Sequence, residues 1–552
     1  MDYKKKISEL LGSPLVTADD IMIAAEGHGD YALPCFKYAK QLRKSPQAIA
    51  AEFAASLADS DVIERTEIAG GYLNFYLSRT AFVRGVMAGE DTQARAAKNA
   101  GKTVCIHYSS INIAKPFHIG HLMSTAIGGS LYRIYKYLGW NAVGINHLGD
   151  WGTQFGKLLA AYERWGDKTK KLTLDDMLSL YVRFTDESEH DPELAECGRT
   201  EFLRIERGDP DALRTYEMFK ATTLEEVGKV YARLGIKFDS YNGEAFYNDK
   251  MQPIIDELVQ KGLAEVSDGA LVVRLDDYGM PPCLIRRSDG ASLYATRDLA
   301  AAQYRADTYK FDKCLYVVAT QQNLHFRQLF KVLELMGRPW AKDLVHVQFG
   351  MVSYEGQPLS TRKGHVVFLA DVINNTVKRA REIIEEKNPD LEDKDHTAEC
   401  VGVGAVMFFA LGTQRIKDVD FDYEKVLSFE GETAPYLQYT HARCRSVIAK
   451  AADLPAGDTD YSLLTDDESY GVVTMLSRFE DVVADAADKY EPSVIARYLI
   501  DLAQKYNRFY IVSRILTDDV ELSRARLALT RAVADTIKRG LYLLLTEAPE
   551  RM

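Results

Sequence analysis

The run from Cys105 to Thr125 constrains this chain more than any other stretch. It reads Cys-Ile-His-Tyr-Ser-Ser-Ile-Asn-Ile-Ala-Lys-Pro-Phe-His-Ile-Gly-His-Leu-Met-Ser-Thr. Val104, Ile106 and Tyr108 alternate with smaller or polar residues, which suits a short strand. Ser109-Ser110-Ile111-Asn112 is a polar turn. Pro116 fixes φ where a helix can begin. On that helix His118 and His121, three residues apart, point to one side. Gly120 between them removes a side chain, so a flat ligand can lie against the backbone. A helix N-terminus after a strand favours anions. Together these predict a nucleotide site whose phosphate faces two imidazole donors. Taken alone, a His-x-x-His pair is as readily a surface feature or half of a zinc site. Zinc needs further ligands. The chain has no Cys-x-x-Cys spacing, so zinc is not expected; nor is any other protein-bound metal.

A chain of 552 residues is too long for one core and suggests about three domains. Its 47% hydrophobic and 27% charged content are those of a soluble globular protein. No apolar run approaches the ~18 residues of a membrane span, and the start, Met1-Asp2-Tyr3-Lys4-Lys5-Lys6, lacks the apolar core of a signal peptide. Seven scattered cysteines read as reduced thiols of a cytoplasmic protein. The net charge of −12 argues mildly against a nucleic-acid partner. It does not exclude one, because binding follows local basic surface.

Residues 1–100 read as a first, small α+β unit. Ser45-Pro46 caps an Ala-rich helix running to about Leu57. Tyr72-Leu73-Asn74-Phe75-Tyr76-Leu77 is an aromatic strand, in which Asn74 and Tyr76 either offer a platform for an unpaired base or pack the core. Asp91 to Gly101 reads as a linker helix. Residues 101–375 read as an α/β nucleotide-binding domain. Ala142 to His147 is its second strand, and Gly149-Asp150-Trp151-Gly152 permits sharp turns near a ligand. Thr173 and Asp176 open a charged helical layer running to about Leu234, expected to be mostly solvated. Gly243-Glu244-Ala245-Phe246-Tyr247 leads back toward the sheet. Tyr294 and Asp298, four apart on a helix, share a face. A carboxylate beside a phenol seats a guanidinium through parallel hydrogen bonds, or the two form an ordinary exposed pair. Leu315 to Ala319 is a buried strand. Gln321-Gln322-Asn323-Leu324-His325-Phe326 follows its carboxyl end, where open α/β sheets bind ligands. His346 to Gly350 is a last strand. The loop behind it, Gly356-Gln357-Pro358-Leu359-Ser360-Thr361-Arg362-Lys363-Gly364, carries two cations that can close over phosphates, or it is a basic surface hairpin. Residues 376–552 are helix-rich. Pro435 to Arg443 begins one helix and Tyr506-Asn507-Arg508-Phe509-Tyr510 sits in another. Arg524, Arg531 and Lys538 recur every seven residues, as a basic stripe or as the solvated cations of a bundle.

The first stretch resembles the His-Ile-Gly-His signature of class I aminoacyl-tRNA synthetases. Its longer form, from Ser109 to Leu122, resembles that of arginyl-tRNA synthetases. Gly149 to Gly156 and the terminus Ala548 to Met552 resemble the same family, as do Gly27 to Ala32 and Gly71 to Phe75. The resemblance implies a Rossmann-type catalytic domain (101–375) with a helical insertion. Before it comes an N-terminal domain for the tRNA elbow (1–100), and after it an all-α anticodon-binding domain (376–552). It implies that arginine attacks the α-phosphate of ATP-Mg²⁺, and that the arginyl group then passes to the terminal adenosine of tRNA. In that reading His118 and His121 bind the α-phosphate, with Gly120 beside the nucleotide. Lys115, Ser360, Arg362 and Lys363 face the triphosphate. Ser110 and Asn112 hold the amino acid's α-groups, and Tyr294, Asp298 and Gln322 select its side chain. Asn74, Tyr76, Tyr506 and Asn507 contact tRNA. The loop at Ser360 and Lys363 only partly matches the family's Lys-Met-Ser-Lys-Ser, with Pro358 in place of the first Lys; Lys115 would supply that charge. His107 stands where the family usually has Asp or Glu, Ile111 replaces a common Pro, and Met123 a common Arg. Tyr294 with Asp298 favours a cationic amino acid over another class I substrate. Intact His118, Gly120 and His121 argue against a weak paralogue that only binds tRNA. The expected partners are tRNA(Arg), L-arginine and ATP, with no membrane, and the chain is expected to act as a monomer.

Overall fold

The computed structural model describes residues 3–25, 27–89, 97–115, 117–288, 294–358 and 367–552, without the side chains of Tyr294 and Pro358. Two compact units make up the chain. One comprises Arg95–Ala442, Asp481–Ile500 and Lys538–Met552; the other comprises Met1–Ala94, Arg443–Glu480 and Asp501–Ile537. Among the described residues no helix is long and apolar enough to cross a membrane.

The first of these units is built on a four-stranded parallel sheet. Its strands are β1 (Thr103–His107), β2 (Asn141–Ile145), β3 (Lys313–Ala319) and β4 (Leu344–Phe349), in the order β4-β3-β1-β2. Every residue of β1 is buried, Cys105 and His107 included, so the alternation in the sequence is not a division into two faces. Parallel strands covered on both sides read as unbroken apolar runs for this reason. Helix α1 (Leu122–Tyr137) follows β1 and packs on the sheet. It starts six residues later than Pro116 suggests, and a 3₁₀ turn, Ile119–His121, precedes it.

Between β2 and β3 lie helices Leu174–Ser188, Pro192–Glu206 and α2 (Pro210–Arg233). The first is opened by the expected capping box: Thr173 N–H donates to Asp176 Oδ2 (3.0 Å) and Asp176 N–H to Thr173 Oγ1 (3.1 Å). The layer is not mostly solvated. Phe184, Leu194, Ile205, Tyr216, Phe219 and Tyr231 are buried, because each helix keeps one apolar stripe for its neighbours. The chain returns beside β2, where Asn146 N–H donates to the Ser240 carbonyl (2.9 Å). Helices α3 (Tyr294–Tyr309) and α4 (Asn323–Leu335) flank β3 and share its core, in which Leu299, Tyr316, Leu329 and Leu333 are buried. Helix α5 (Lys394–Leu411) lies among the later helices, as the helix-rich reading of 376–552 expects, and packs on α1.

In the other unit, strands Met22–Ile23, Tyr31–Pro34, Tyr72–Leu77 and Ile63–Ala69 form an antiparallel sheet in that order. Helix Pro46–Ser56 is capped as the sequence predicts, with Ser45 Oγ accepting from Ala48 N–H (3.3 Å). Asp30 ties the sheet to a later helix of the same unit. Its Oδ2 accepts from Leu77 N–H (2.8 Å) and its Oδ1 from the Tyr470 hydroxyl (3.0 Å). Most of the expected linker helix at Asp91–Gly101 lies outside the described residues.

Helix α1 meets Tyr108, the residue that follows β1, through a glycine. A Cβ at Gly128 would lie 2.2 Å from both Cβ and Cγ of Tyr108, whose ring is buried and whose hydroxyl donates to the Lys237 carbonyl (2.7 Å). Gly128→Ala must push helix and strand apart, at about 1–3 kcal/mol for overpacking of this kind. Thermal unfolding should begin at lower temperature than in the parent; an unchanged unfolding profile would show that this approach does not limit packing.

Candidate active site

The turn after β1 leaves the strand through two serines with left-handed backbones, Ser109 (φ 66°) and Ser110 (φ 51°). Neither residue adopts this region without strain, so the surroundings must hold it. Ser109 N–H donates to Ser124 Oγ (2.9 Å), whose own hydroxyl donates to the Val317 carbonyl (2.7 Å). Ser109 Oγ pairs with Thr125 Oγ1 (2.8 Å) and with the Tyr231 hydroxyl of α2 (2.7 Å). Ser110 Oγ is left buried with no partner among the described residues, a state that calls for a ligand group. Asn112 is exposed, on a loop pinned by Gly149 N–H to the Ile111 carbonyl (2.8 Å) and Ile113 N–H to the Gly149 carbonyl (3.1 Å).

The two histidines do face each other, at 4.1 Å between ring centroids, but from the 3₁₀ turn rather than a first helical turn. His118 Nδ1 accepts from Gly120 N–H (3.1 Å), which leaves the proton on Nε2 as a free donor. His121 Nδ1 lies 3.3 Å from both the amide and the carbonyl of His118. Burial, then His118, lowers His121 to about 3; burial lowers His118 also. Both imidazoles are therefore neutral N–H donors at neutral pH. Lys115 is exposed, and its charge is felt by His121 and by Glu244.

Asp298 lies on the first turns of α3, with its side chain 21% exposed. His325, on α4, donates from Nε2 to Asp298 Oδ2 (2.7 Å). His147 Nε2 lies 3.9 Å from Oδ1. Burial alone would raise this carboxyl; the His325 hydrogen bond, with charge from His325, His147 and Arg305, brings it below the usual range. Arg305, two turns along α3, is 1% exposed. Its Nη1 is 3.2 Å from His107 Nδ1 and its Nη2 is 3.3 Å from His147 Nδ1. A guanidinium only donates, so both Nδ1 atoms accept and His147 carries its proton toward Asp298. Among the described residues no carboxylate pairs with Arg305. His107, stacked on His147 at 5.2 Å, is held neutral by burial, then by Arg305 and by His147. Gln322 is exposed in the 3₁₀ turn that ends β3, at the same carboxyl edge of the sheet. Tyr294 opens α3, but its side chain lies outside the description, as do Ser360, Arg362 and Lys363.

Several residues of this edge were not singled out from the sequence. Asp150 is fully buried and joins the insertion to the loop after it. Its Oδ2 accepts from Lys220 Nζ of α2 (2.9 Å) and its Oδ1 from Ala245 N–H (2.9 Å). Glu244 Oε2 lies 3.5 Å from Arg297 Nη1. Burial raises Glu244 to about 7 against the pull of Arg297, with Asp298 and Asp150 adding to the rise. The Gly-Glu pair on the return toward the sheet was the available signal for it. His325 and His147 sat in strings already noted, but only the fold sets them against one carboxylate.

The tRNA candidates of the other unit fare unequally. Asn74 is 3% exposed and Tyr506 0%, so neither can stack on or pair with a base without opening the core. Tyr506 fails as a surface ring because it lies on the apolar stripe of its helix, with its hydroxyl toward Thr530 (3.4 Å). Tyr76 is half-buried, with Arg65 over its ring at 3.4 Å and its hydroxyl donating to Glu67 (2.8 Å). Asn507 is partly open and accepts from Arg443 (2.6 Å). The exposed aromatics near the strand are Phe36 and Tyr72 instead, in an edge contact at 5.3 Å.

A parallel sheet whose first strand runs into a paired-histidine turn at its carboxyl edge fits a class I aminoacyl-tRNA synthetase. A family model described as tRNA synthetases class I (R), catalytic domain, matches residues 83–423. The Arginyl tRNA synthetase N terminal domain matches 2–77, and the DALR anticodon binding domain matches 437–552. An arginine–tRNA ligase of Alkaliphilus metalliredigens is 48% identical over 564 residues, covering 100% of both chains. The arginyl-tRNA synthetase of Thermus thermophilus has a TM-score of 0.83 at 28% identity, covering 100% of this chain and 98% of that one. That of Plasmodium falciparum shares the fold, with a TM-score of 0.82 at 23% identity over 100% and 99% of the two chains. The chain belongs to the arginyl-tRNA synthetase family, and it is an enzyme of that family.

The buried imidazoles give a pH prediction. Unfolded, His147 takes its proton near 6.5; folded, it does so only near 4 because burial and Arg305 oppose the charge. Acid therefore binds the unfolded chain preferentially, and stability is lost as pH falls from 7 toward 4. At pH 5 this one group costs about 2 kcal/mol. The urea midpoint should fall between pH 7 and pH 5, and less steeply in His147→Gln. An equal slope in the two proteins would show that His147 takes up its proton at an ordinary pH when folded.

Proposed function

We propose that this site activates L-arginine with ATP-Mg²⁺ and passes the arginyl group to the terminal adenosine of tRNA(Arg). The observation that carries the reading is Asp298, an ionised, partly open carboxylate aligned by His325 at the same sheet edge as two neutral imidazole donors. The carboxylate of arginine attacks the α-phosphorus, a P–O bond forms, and pyrophosphate leaves with the electron pair. The protein supplies position and charge stabilisation with no covalent enzyme intermediate. His118 and His121 donate to the α-phosphate as charge builds on it, with the nucleotide lying against Gly120. Lys115 meets the triphosphate, with Ser360, Arg362 and Lys363 closing from the loop. Ser110, whose hydroxyl lacks a partner, and Asn112 hold the α-ammonium and carboxylate. Asp298 receives the guanidinium, with Tyr294 and Gln322 beside it. Glu244 adds a second carboxyl group near that seat.

Residues 1–100 meet the tRNA elbow through the surface around Tyr76, residues 101–375 carry the chemistry, and residues 376–552 read the anticodon with Asn507 among the contacts. The enzyme works in the cytoplasm as a monomer.

Two substitutions separate the roles kinetically. Asp298→Ala removes the ionic partner of the guanidinium, a loss of about 3–5 kcal/mol. The KM for arginine should rise by roughly several hundred-fold or more while that for ATP barely moves. His118→Ala should instead lower kcat for adenylate formation, by about 2.7–4 kcal/mol of transition-state stabilisation. Arginine-dependent ATP–pyrophosphate exchange with tRNA present reads both. Near-normal arginine KM in Asp298→Ala, or wild-type kcat in His118→Ala, would remove that residue from its role.

A further inference from the structure

Away from the sheet edge, three side chains of different chemistry converge where the C-terminal segment passes helix α5. His396 Nε2 lies 3.5 Å from Cys400 Sγ and 3.6 Å from Glu547 Oε1. All three donor atoms lie within 4.8 Å of one another. We propose that His396, Cys400 and Glu547 bind a divalent cation of the zinc type, which clasps the C-terminal segment to α5.

The geometry is that of ligands around a small tetrahedral ion. With metal–nitrogen, metal–oxygen and metal–sulfur bonds of ordinary length, adjacent ligand atoms stand about 3.4–3.6 Å apart. Two edges of the polyhedron are therefore already close to length. The donor set suits the same ion, since imidazole, thiolate and carboxylate are its usual ligands. One thiolate and one carboxylate balance a dication, so a neutral complex forms beside the buried sulfur. The thiol proton leaves to solvent as the metal–sulfur bond forms. His396 and Glu547 are both exposed, which leaves the fourth position open to water.

The protein also builds the support such a site needs. His396 and Cys400 are four apart on α5 and share a face. Asp393 caps the helix by accepting from His396 N–H (3.2 Å), which fixes the turn that carries the imidazole. The two ligand-bearing segments are joined from behind by one buried amide: Gln438 Nε2–H₂ donates to the Cys400 carbonyl (2.9 Å) and to the Glu547 carbonyl (2.7 Å). Nearby cations are engaged elsewhere. Arg233 and Lys538 line the 360 Å³ cavity that Cys400 and Glu547 share. Arg233 is held by Glu399 (2.8 and 3.0 Å) and Lys538 by Glu550 (3.0 Å). Paired-cysteine spacing does not reveal this set, because it holds one cysteine and draws a ligand from a segment distant in sequence.

The test uses the full chain carrying Cys197→Ser, since Cys197 is the exposed cysteine and could bind metal adventitiously. After chelator treatment and dialysis, the protein is titrated with Co²⁺ and then with Zn²⁺. One equivalent of Co²⁺ should give a thiolate-to-cobalt absorption band that Zn²⁺ abolishes. Zn²⁺ should raise the unfolding temperature of this protein. Both effects should be lost in Cys400→Ser and in His396→Ala; the second variant alters an exposed side chain and keeps the test valid if the first misfolds. Absence of stoichiometric uptake, or a band and a temperature shift that survive in His396→Ala, overturns the proposal.

Discussion

A guanidinium buried at the carboxyl edge of the parallel sheet conditions everything around it. Removing Arg305 from water costs several kcal/mol that acceptors in the fold must offset. It finds them in two imidazoles, with the Tyr316 ring at 5.3 Å. That choice holds His107 and His147 neutral and sends the His147 proton toward Asp298. The carboxylate is then approached by His147 on one oxygen and bonded by His325 on the other. A side chain that touches no proposed substrate group thus orients, through His147, the Asp298 carboxylate proposed to receive the guanidinium.

The same edge explains why the insertion between β2 and β3 cannot be treated as decoration. Helix α2 sends Tyr231 to the strained Ser109 after β1 and Lys220 to the buried Asp150. Glu244 lies just beyond the insertion, against Arg297. The turn that holds Ser110 is therefore stabilised by α2, distant in sequence, and by Ser124 and Thr125 of α1. Its left-handed backbone persists because Ser124, Thr125 and Tyr231 occupy every polar atom of Ser109 that faces them.

The sequence reveals those features whose signal is local. The strands of the sheet, the Ser45 cap, the Thr173 capping box and the pairing of His118 with His121 all rest on residues within a few positions of each other. What escaped it depends on long-range packing. Pro116 pointed to a helix start because its φ suits one, yet the chain makes a 3₁₀ turn first and α1 begins at Leu122. Asn74 and Tyr506 were singled out by residue type, but their burial follows from which face of the strand or helix meets the core. The charged composition of 173–234 concealed its apolar stripes. Arg305 carried no motif, and only the packing of α3 on β1 brings it against His107.

Central to this account is the selection of arginine by a carboxylate at a class I nucleotide edge. The most direct measurement is aminoacylation by the purified full chain, with its tRNA present and each amino acid offered in turn. The account predicts charging with arginine alone, dependent on ATP. Charging with a different amino acid in preference to arginine, or none with arginine, would contradict it.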